Sequence, residues 1–391
     1  MANTNLKEAK AGKNDEFYTQ FHDIEIEMNA YLEYDPNVFK GKTILLPCDD
    51  PEWSNFTRFF AAKFDELGLK KLISTSYAPD AKKMKLLPEP SLFETEAPQF
   101  DPTKAQTKGK IFVLEQDHTG DGHINIDDLE WEYLEGDGDF RSKEVVKLRD
   151  EADIIITNPP FSLFREFLSW IVSEDKKFII IGNMNAVTYK EIFPMIAENR
   201  LWLGYNSGHF WFKVPDSYEI KKTDFKIDEH GQKWRRMGNI CWFTNVDIEK
   251  RHENMPLFRS YSPELYPKYD NYDAINVDRT VDIPCDYYGV MGVPITFLSQ
   301  YNPDQFEIVA FRKGTDGKDL VYSFPDCSHS VNVERERERG RENGAADGAA
   351  VLPYPRQTQA DNSHDDVIRP VLHGRKLYRR ITIRMQRQSQ G

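Results

Sequence analysis

Over the first half of the chain, short apolar runs bounded by turn residues alternate with amphipathic stretches, the pattern of strands and helices in an α/β sheet. The first run is TILLP (43–47). It ends in Cys48-Asp49-Asp50-Pro51; WSNFTRFFAAKFDEL then sets aromatics at helical spacing, Gly68 marks a stop and KKLISTSY offers a second strand. From about 79 to 137 the order weakens, leaving IFVLE (111–115) and LEWEYLE (129–135) as short strands in what reads as an insertion. ADIIIT (152–157) is almost continuously β-branched, as suits a strand covered on both faces. NPPF, a helical SLFREFLSWIVS and a further strand, KKFIIIG (176–182), follow it.

After about residue 200 the chain turns rich in Tyr, Trp, Asn and Gly, and broken strands such as HFWFKV and NICWFTN predict a second, less regular domain. ERERERGRE (334–342), NGAADGAA and the polar run to about Asp366 carry too little apolar surface to offset chain entropy, which predicts disorder. VLHGRKLYRRITIR then resumes a turn and a strand.

At 391 residues the chain exceeds one comfortable core, so one large or two closely joined domains are expected, and 39% hydrophobic residues supply the material. The net charge of −13 means that a polyanion would have to be met by a local basic face. Cys48, Cys241, Cys285 and Cys327 are far apart, which excludes a disulfide framework or a zinc ribbon, fits a reducing compartment and predicts packed thiols at Cys241 and Cys285. MANTNLKEAKAGKN lacks a signal-peptide core, and runs such as IIIT fall short of the roughly 18 residues of a membrane span, so a cytoplasmic protein without a membrane partner is expected.

The sharpest chemical signal is Asn158-Pro159-Pro160-Phe161, directly after the buried strand. Two prolines at a strand end fix two φ angles and remove two donors, leaving carbonyls aimed beyond the sheet, where ligands of open α/β sheets sit. The Asn158 side-chain oxygen and the Pro159 carbonyl could together hold the hydrogens of a planar amine, whose nitrogen is a poor nucleophile while its lone pair is delocalised. Phe161 supplies a face for stacking. The alternative is a plain strand-to-helix turn with Phe161 in the core.

Several blocks in one order, NDEFYTQ (14–20), CDDPEWSNF (48–56), GDGDFRS (136–142), ADIIITNPPFSLFREFL (152–168), IIGNMNAVTYKEIF (180–193), YPKYDNYDAINV (266–277) and IPCDYYGVMGVPITFL (283–298), resemble the EcoRI-type family of adenine-N6 DNA methyltransferases. The resemblance implies a Rossmann-like class I S-adenosylmethionine-dependent methyltransferase sheet, with a C-terminal target-recognition region. The expected layout is a catalytic domain over 1–215 with an irregular insertion at 79–135, a recognition region over 216–325, a disordered segment over 326–369 and a terminal strand over 370–391.

Carried onto this chain, the resemblance makes Asn158, Pro159, Pro160 and Phe161 the motif that grips a flipped adenine. Asp15, Phe17 and Thr19 resemble the segment closing over the methionine end of S-adenosylmethionine, and Asp139 and Phe140 the acid and neighbour that contact its adenine. Asp49 or Asp50 would bind its amino group, from a turn with no glycine where such sheets usually carry a glycine-rich one. Methyl transfer from a sulfonium requires no metal, in keeping with the lack of a His/Glu constellation. The implied partner is double-stranded DNA, and a cognate restriction endonuclease could share the site without a stable complex. An RNA base or a protein glutamine as acceptor, and a catalytically silent DNA-binding relative, are the alternatives.

Among basic residues interleaved with aromatics, Arg235, Arg236, Lys268 and Arg279 are the expected DNA contacts. Asp117 to Asp128 has the oxygen spacing of a calcium loop, although a solvated acidic turn suits a cytoplasmic enzyme better.

Overall fold

The computed structural model describes residues 19–47, 49, 54–78, 98–207, 210–214, 223–270, 273–312, 321–323, 371–373, 375–377 and 380–386. Asp15, Phe17, Asp50 and the segment expected to be disordered (326–369) lie outside them. The chain divides into two compact units, one formed by Met1–Ala186 with Arg200–Lys250 and the other by Val187–Asn199 with Arg251–Gly391.

In the first unit, helix α1 (Phe21–Tyr34) buries Ile24, Met28 and Tyr31, one stripe at helical spacing. Strand β1 (Thr43–Leu46) leads to α2 (Asn55–Ala62), opened by Ser54, whose hydroxyl caps the Phe56 amide at 3.1 Å. Phe56, Phe59 and Phe60 give α2 its buried face. The short α3 (Phe64–Leu67) ends at Gly68 in the left-handed conformation (φ 61°), a natural glycine cap before β2 (Lys71–Ser76). β3 (Lys110–Leu114), β4 (Glu130–Tyr133), α4 (Lys143–Glu151), β5 (Ile154–Thr157), α5 (Phe164–Val172), β6 (Lys177–Asn183) and β7 (Trp202–Ser207) follow. β8 (Phe210–Lys213), β9 (Phe225–Ile227) and β10 (Lys233–Met237) form a small antiparallel sheet, and β11 (Ile240–Thr244) closes the unit.

The main sheet has the order β4-β3-β2-β1-β5-β6-β11-β7. Its centre, β2-β1-β5-β6, is parallel, and β1 and β5 are buried at every position, which is why their sequences are unbroken apolar runs. β3 and β4 extend one edge antiparallel, so the weakly patterned insertion adds two strands to the sheet. On the other edge β11 runs antiparallel to both β6 and β7. NICWFTN is therefore an interior strand of the main sheet, next to its β7 edge, contrary to its expected place in a less regular second domain, and the first unit extends to Lys250, past the boundary drawn at 215. The cause is burial on both faces: all five β11 residues are inside, Trp242 fully.

α1 is held to β7 by Glu27, wholly buried, whose carboxyl accepts Tyr31 Oη (2.9 Å) and the backbone amides of Tyr205 (2.9 Å) and Asn206 (2.7 Å). Burial pushes this carboxyl up to about 7, against the opposing pull of those hydrogen bonds and of the Lys250 charge.

The second unit holds α6 (Phe193–Ala197) and a five-stranded sheet of order β12 (Ile275–Asn276), β13 (Met291–Pro294), β18 (Arg380–Met385), β14 (Phe306–Arg312) and β15 (Val321–Ser323). A two-stranded hairpin, β16 (Val371–Leu372) with β17 (Arg375–Lys376), precedes β18. β18 sits between β13 and β14, antiparallel to each, so residues distant in sequence complete the core of this unit. Phe193 stacks on Phe311 at 4.7 Å. Of the two described cysteines, Cys241 is buried as expected, whereas Cys285, whose amide donates to the Arg259 carbonyl just after the bridge at Pro284, is exposed and not packed.

In the Asp117–Asp128 loop, Asp117 accepts the amides of Gly120 (2.6 Å) and Gly122 (2.8 Å). Asp128 accepts those of His118 (2.9 Å), Thr119 (2.8 Å) and Asn125 (3.0 Å) and is buried, not solvated, because it forms the loop's own capping centre. Among the described residues no group of acids, histidines and cysteines is arranged to hold a metal.

Candidate active site at the carboxyl ends of the parallel strands

β1 has β2 on one side and β5 on the other, the reversal of strand order at which an open α/β sheet leaves a crevice beyond its carboxyl ends. Asp49, two residues past the turn that ends β1, lies in this crevice and is buried. Its carboxyl accepts Ser54 Oγ at 2.7 Å on one oxygen and a short hydrogen bond from Thr157 Oγ1 on the other. Its backbone carbonyl accepts Thr57 Oγ1 at 3.2 Å and a hydrogen bond from Ser74 Oγ. Thr157 also approaches the Pro47 carbonyl at 2.8 Å. Ser74 on β2, Thr157 at the end of β5, and Ser54 and Thr57 at the start of α2 thus fix an acid where a glycine-rich turn would otherwise stand.

Asn158 follows Thr157 and is half-buried, with its amide nitrogen 3.4 Å from Thr19 Oγ1. Thr19 is itself buried, and its carbonyl accepts Asn55 Nδ2 at 2.7 Å, so the segment before α1 is tied both to the end of β5 and to the start of α2. Pro159 is buried and Pro160 half-buried; Phe161, also half-buried, packs against the apolar cluster that includes Phe56, Phe210 and Trp242.

The GDGDF turn reaches the same edge. Gly138, at φ 84°, lies so close to the Ser76 carbonyl at the end of β2 that a Cβ would collide with it, and the Asp137 carbonyl accepts the Ala78 amide at 2.8 Å. Asp139 is gripped by Arg141 through Nε (2.9 Å) and Nη2 (2.6 Å), and this guanidinium holds the Asp139 carboxyl below the usual carboxylate range. Arg141 also reaches Glu166 on α5 at 3.0 Å, joining the turn to the helix that follows NPPF. Phe140 is 1% exposed, with its ring edge-on to Phe167 (5.1 Å) and Trp170 (5.6 Å). Its side chain belongs to the core beneath α5, so a contact with a ligand would have to come from its backbone.

Thr19, Asp49, Asp139, Asn158, Pro159, Pro160 and Phe161 therefore meet at one end of one sheet. The four expected DNA contacts are divided between the units: Arg235 and Arg236 are on β10 in the first, and Lys268 and Arg279 belong to the second. Three of them carry a carboxylate partner. Arg236 pairs with Asp224 (2.7 Å) and Lys268 with Asp273 (2.9 Å). Arg279 forms a two-pronged pair with Asp282 (2.7 and 3.0 Å), which raises Arg279 and lowers Asp282. Arg235 instead donates to the carbonyls of Thr223 and Asp224. Sequence reasoning missed Ser54, Asn55, Thr57 and Ser74; the one signal for them is hydroxyl and amide side chains at the ends of apolar strands and at a helix start.

Residues 5–386 match the family described as adenine-specific methyltransferase EcoRI. The chain is 46% identical over 319 residues to the type II methyltransferase M.EcoRI of Escherichia coli, covering 81% of this chain and 91% of that protein. It is 36% identical over 307 residues to M.MpnI of Mycoplasma pneumoniae (77% and 83%) and 36% over 308 residues to M.MgeORF184P of Mycoplasma genitalium (77% and 84%). No solved structure matches it. No helix among the described residues is long and apolar enough to cross a membrane. With a mixed α/β sheet of the class I methyltransferase kind and a match over almost its whole length, the chain belongs to the EcoRI family of adenine-specific methyltransferases.

Proposed function

We propose that this adenine-specific methyltransferase moves the methyl group of S-adenosylmethionine onto N6 of an adenine turned out of duplex DNA, at the carboxyl ends of β1, β2 and β5. One observation carries the reading: Asn158 and Pro159 stand at the end of β5 beside Thr19, with Asp49 next to them across Thr157. The residues present fit the cofactor, because a carboxyl fixed at the strand ends complements an ammonium group, and the hydroxyls of Thr19 and Ser54 suit its polar methionine end. When bound, S-adenosylmethionine supplies an activated methyl on a sulfonium.

The protein's part is positioning. The Thr19 hydroxyl sets the orientation of the Asn158 amide, whose oxygen accepts one N6 hydrogen while the Pro159 carbonyl accepts the other. Two acceptors draw the amine toward a tetrahedral nitrogen whose lone pair points at the methyl. Phe161 stacks on the extruded base and offsets part of the few kcal/mol that unstacking costs. Asp139 and the backbone at Phe140 border the cofactor's adenine. Arg236, Lys268 and Arg279 act at the DNA surface by exchanging a carboxylate for a phosphate, whereas Arg235, expected to join them, stands opposite Phe212 and Phe225 on the inner face of the small sheet.

The test is tritium transfer from labelled S-adenosylmethionine to unmethylated plasmid, with modified positions mapped by sequencing. N6-methyladenine at one sequence, and a loss of more than tenfold in kcat for Asn158→Ala with cofactor binding retained, are expected, a barrier change above ~1.4 kcal/mol. Transfer to protein or RNA and not to plasmid would overturn the reading.

A further inference from the structure

The small sheet β8-β10-β9 has two unlike faces. Its register sets Trp234 opposite Lys226 and Arg236 opposite Trp211, and directly opposed residues share a face. The alternate positions face inward: Phe210 and Phe212 are each 1% exposed, and Phe225 packs with them into the cluster that also carries Phe161. The inner face thus anchors the sheet to the core bordering the active site, and the outer face presents Trp211, Lys226, Trp234 and Arg236.

On that outer face the Lys226 ammonium lies 4.5 Å from the Trp211 ring centre and 5.6 Å from that of Trp234. Lys226 is exposed and has no carboxylate partner among the described residues, unlike Arg236, which Asp224 neutralises. Trp234 is fixed in turn by its indole N–H on Asp228 at 2.8 Å. A cation held between two indoles keeps its charge and gives up side-chain freedom before any ligand arrives, so meeting an anion costs it less further ordering. The flat rings beside it suit the apolar face of a sugar.

Resting on the function proposed above, we propose that the outer face of β8-β10-β9 is a sequence-independent contact for the backbone of the substrate DNA, with Lys226 on a phosphate and Trp211 and Trp234 against deoxyribose. A chain of net charge −13 must meet a polyanion through local cations, and Lys226 has no carboxylate partner to give up among the described residues. The simpler role, a cation clamping two strands, would affect folding alone.

The experiment measures binding of the full chain to a specific and a scrambled duplex across a salt series. Lys226→Gln should weaken both complexes by the same factor and reduce the slope of log affinity against log salt by about 1, while Lys226→Arg should restore the wild-type slope. Duplex addition should also quench tryptophan fluorescence in the wild-type chain, and less so in Trp211→Phe. An unchanged slope in folded Lys226→Gln overturns the proposal. If that variant does not fold, quenching equal in wild type and Trp211→Phe overturns it instead. Methylation of plasmid by the wild type separates the two ideas: transfer with an unmoved slope sinks only this surface, and no transfer sinks the function itself.

Discussion

Thr157→Val tests whether the hydroxyl network behind Asp49 governs the cofactor side of the site. Valine matches threonine in shape, so packing at this fully buried position stays and only the hydroxyl goes. Asp49 then loses the donor on one carboxyl oxygen, in a place where the side chain is buried, while Ser54 at 2.7 Å still holds the other. A hydrogen bond to a charged or potentially charged group is worth about 1.5–3 kcal/mol. The backbone of Asp49 remains tied by Ser74 and Thr57, which limits the damage to the side chain. The variant should therefore melt lower, by roughly 1–2 °C for each kcal/mol in a chain of 391 residues. If half of the loss falls on cofactor binding, the dissociation constant of S-adenosylmethionine rises about four- to tenfold. Calorimetric titration of the cofactor and a thermal melt check this, with Thr157→Ser, which keeps the hydroxyl, as the control. A Thr157→Val protein with wild-type melting and cofactor affinity would refute the role given to this contact.

The buried Glu27 ties stability to pH. Its carboxyl titrates at about 7 in the fold against 4.5 ordinarily, so its contribution is full below pH 4.5 and is lost as pH rises through 7, by about 3 kcal/mol in all. In denaturant titrations the gap between wild type and Glu27→Gln should change by that amount across the window; a constant gap would count against it. Asp282→Asn frees Arg279 and Arg259, which lies 3.5 Å away, and should raise duplex affinity with little effect on melting; unaltered binding would remove Arg279 from the DNA surface. Phe161→Ala should lower turnover and leave the salt dependence of DNA binding unchanged, because Phe161 touches no phosphate, and a flatter salt slope would contradict that.

The parallel centre of the main sheet was legible because a strand covered on both faces is apolar along most of its length, as in TILL and IIIT, whose threonines stand at the ends. β11 is equally buried, yet its tryptophan and flanking asparagines resemble an irregular strand, and its partner β6 lies some sixty residues earlier. Local pattern carries no information on such distant pairing. β18 is the same case in the second unit. Asn158-Pro159-Pro160 could be read because two prolines after a buried strand are chemically unusual. Ser74, Thr57 and Thr157 could not, since a hydroxyl gains its meaning only from the acid that it meets in space. Glu27 left one trace: it stands three residues after Ile24 and four before Tyr31, inside the apolar stripe of α1.

The glycine-free turn after β1 follows from the same reasoning. A glycine-rich turn lets backbone amides come close to a pyrophosphate, and a helix N-terminus then favours its negative charge. S-adenosylmethionine has no phosphate, and its reactive end carries a sulfonium and an ammonium. For such a ligand a carboxyl held at the strand ends complements the ammonium group directly, whether or not the turn beside it carries glycine. Asp49 meets that need only if it cannot swing away, which is why hydroxyls from β2, β5 and α2 converge on it. On this account the turn can do without glycine because Asp49 and its hydroxyl partners hold the proposed cofactor from the strand ends.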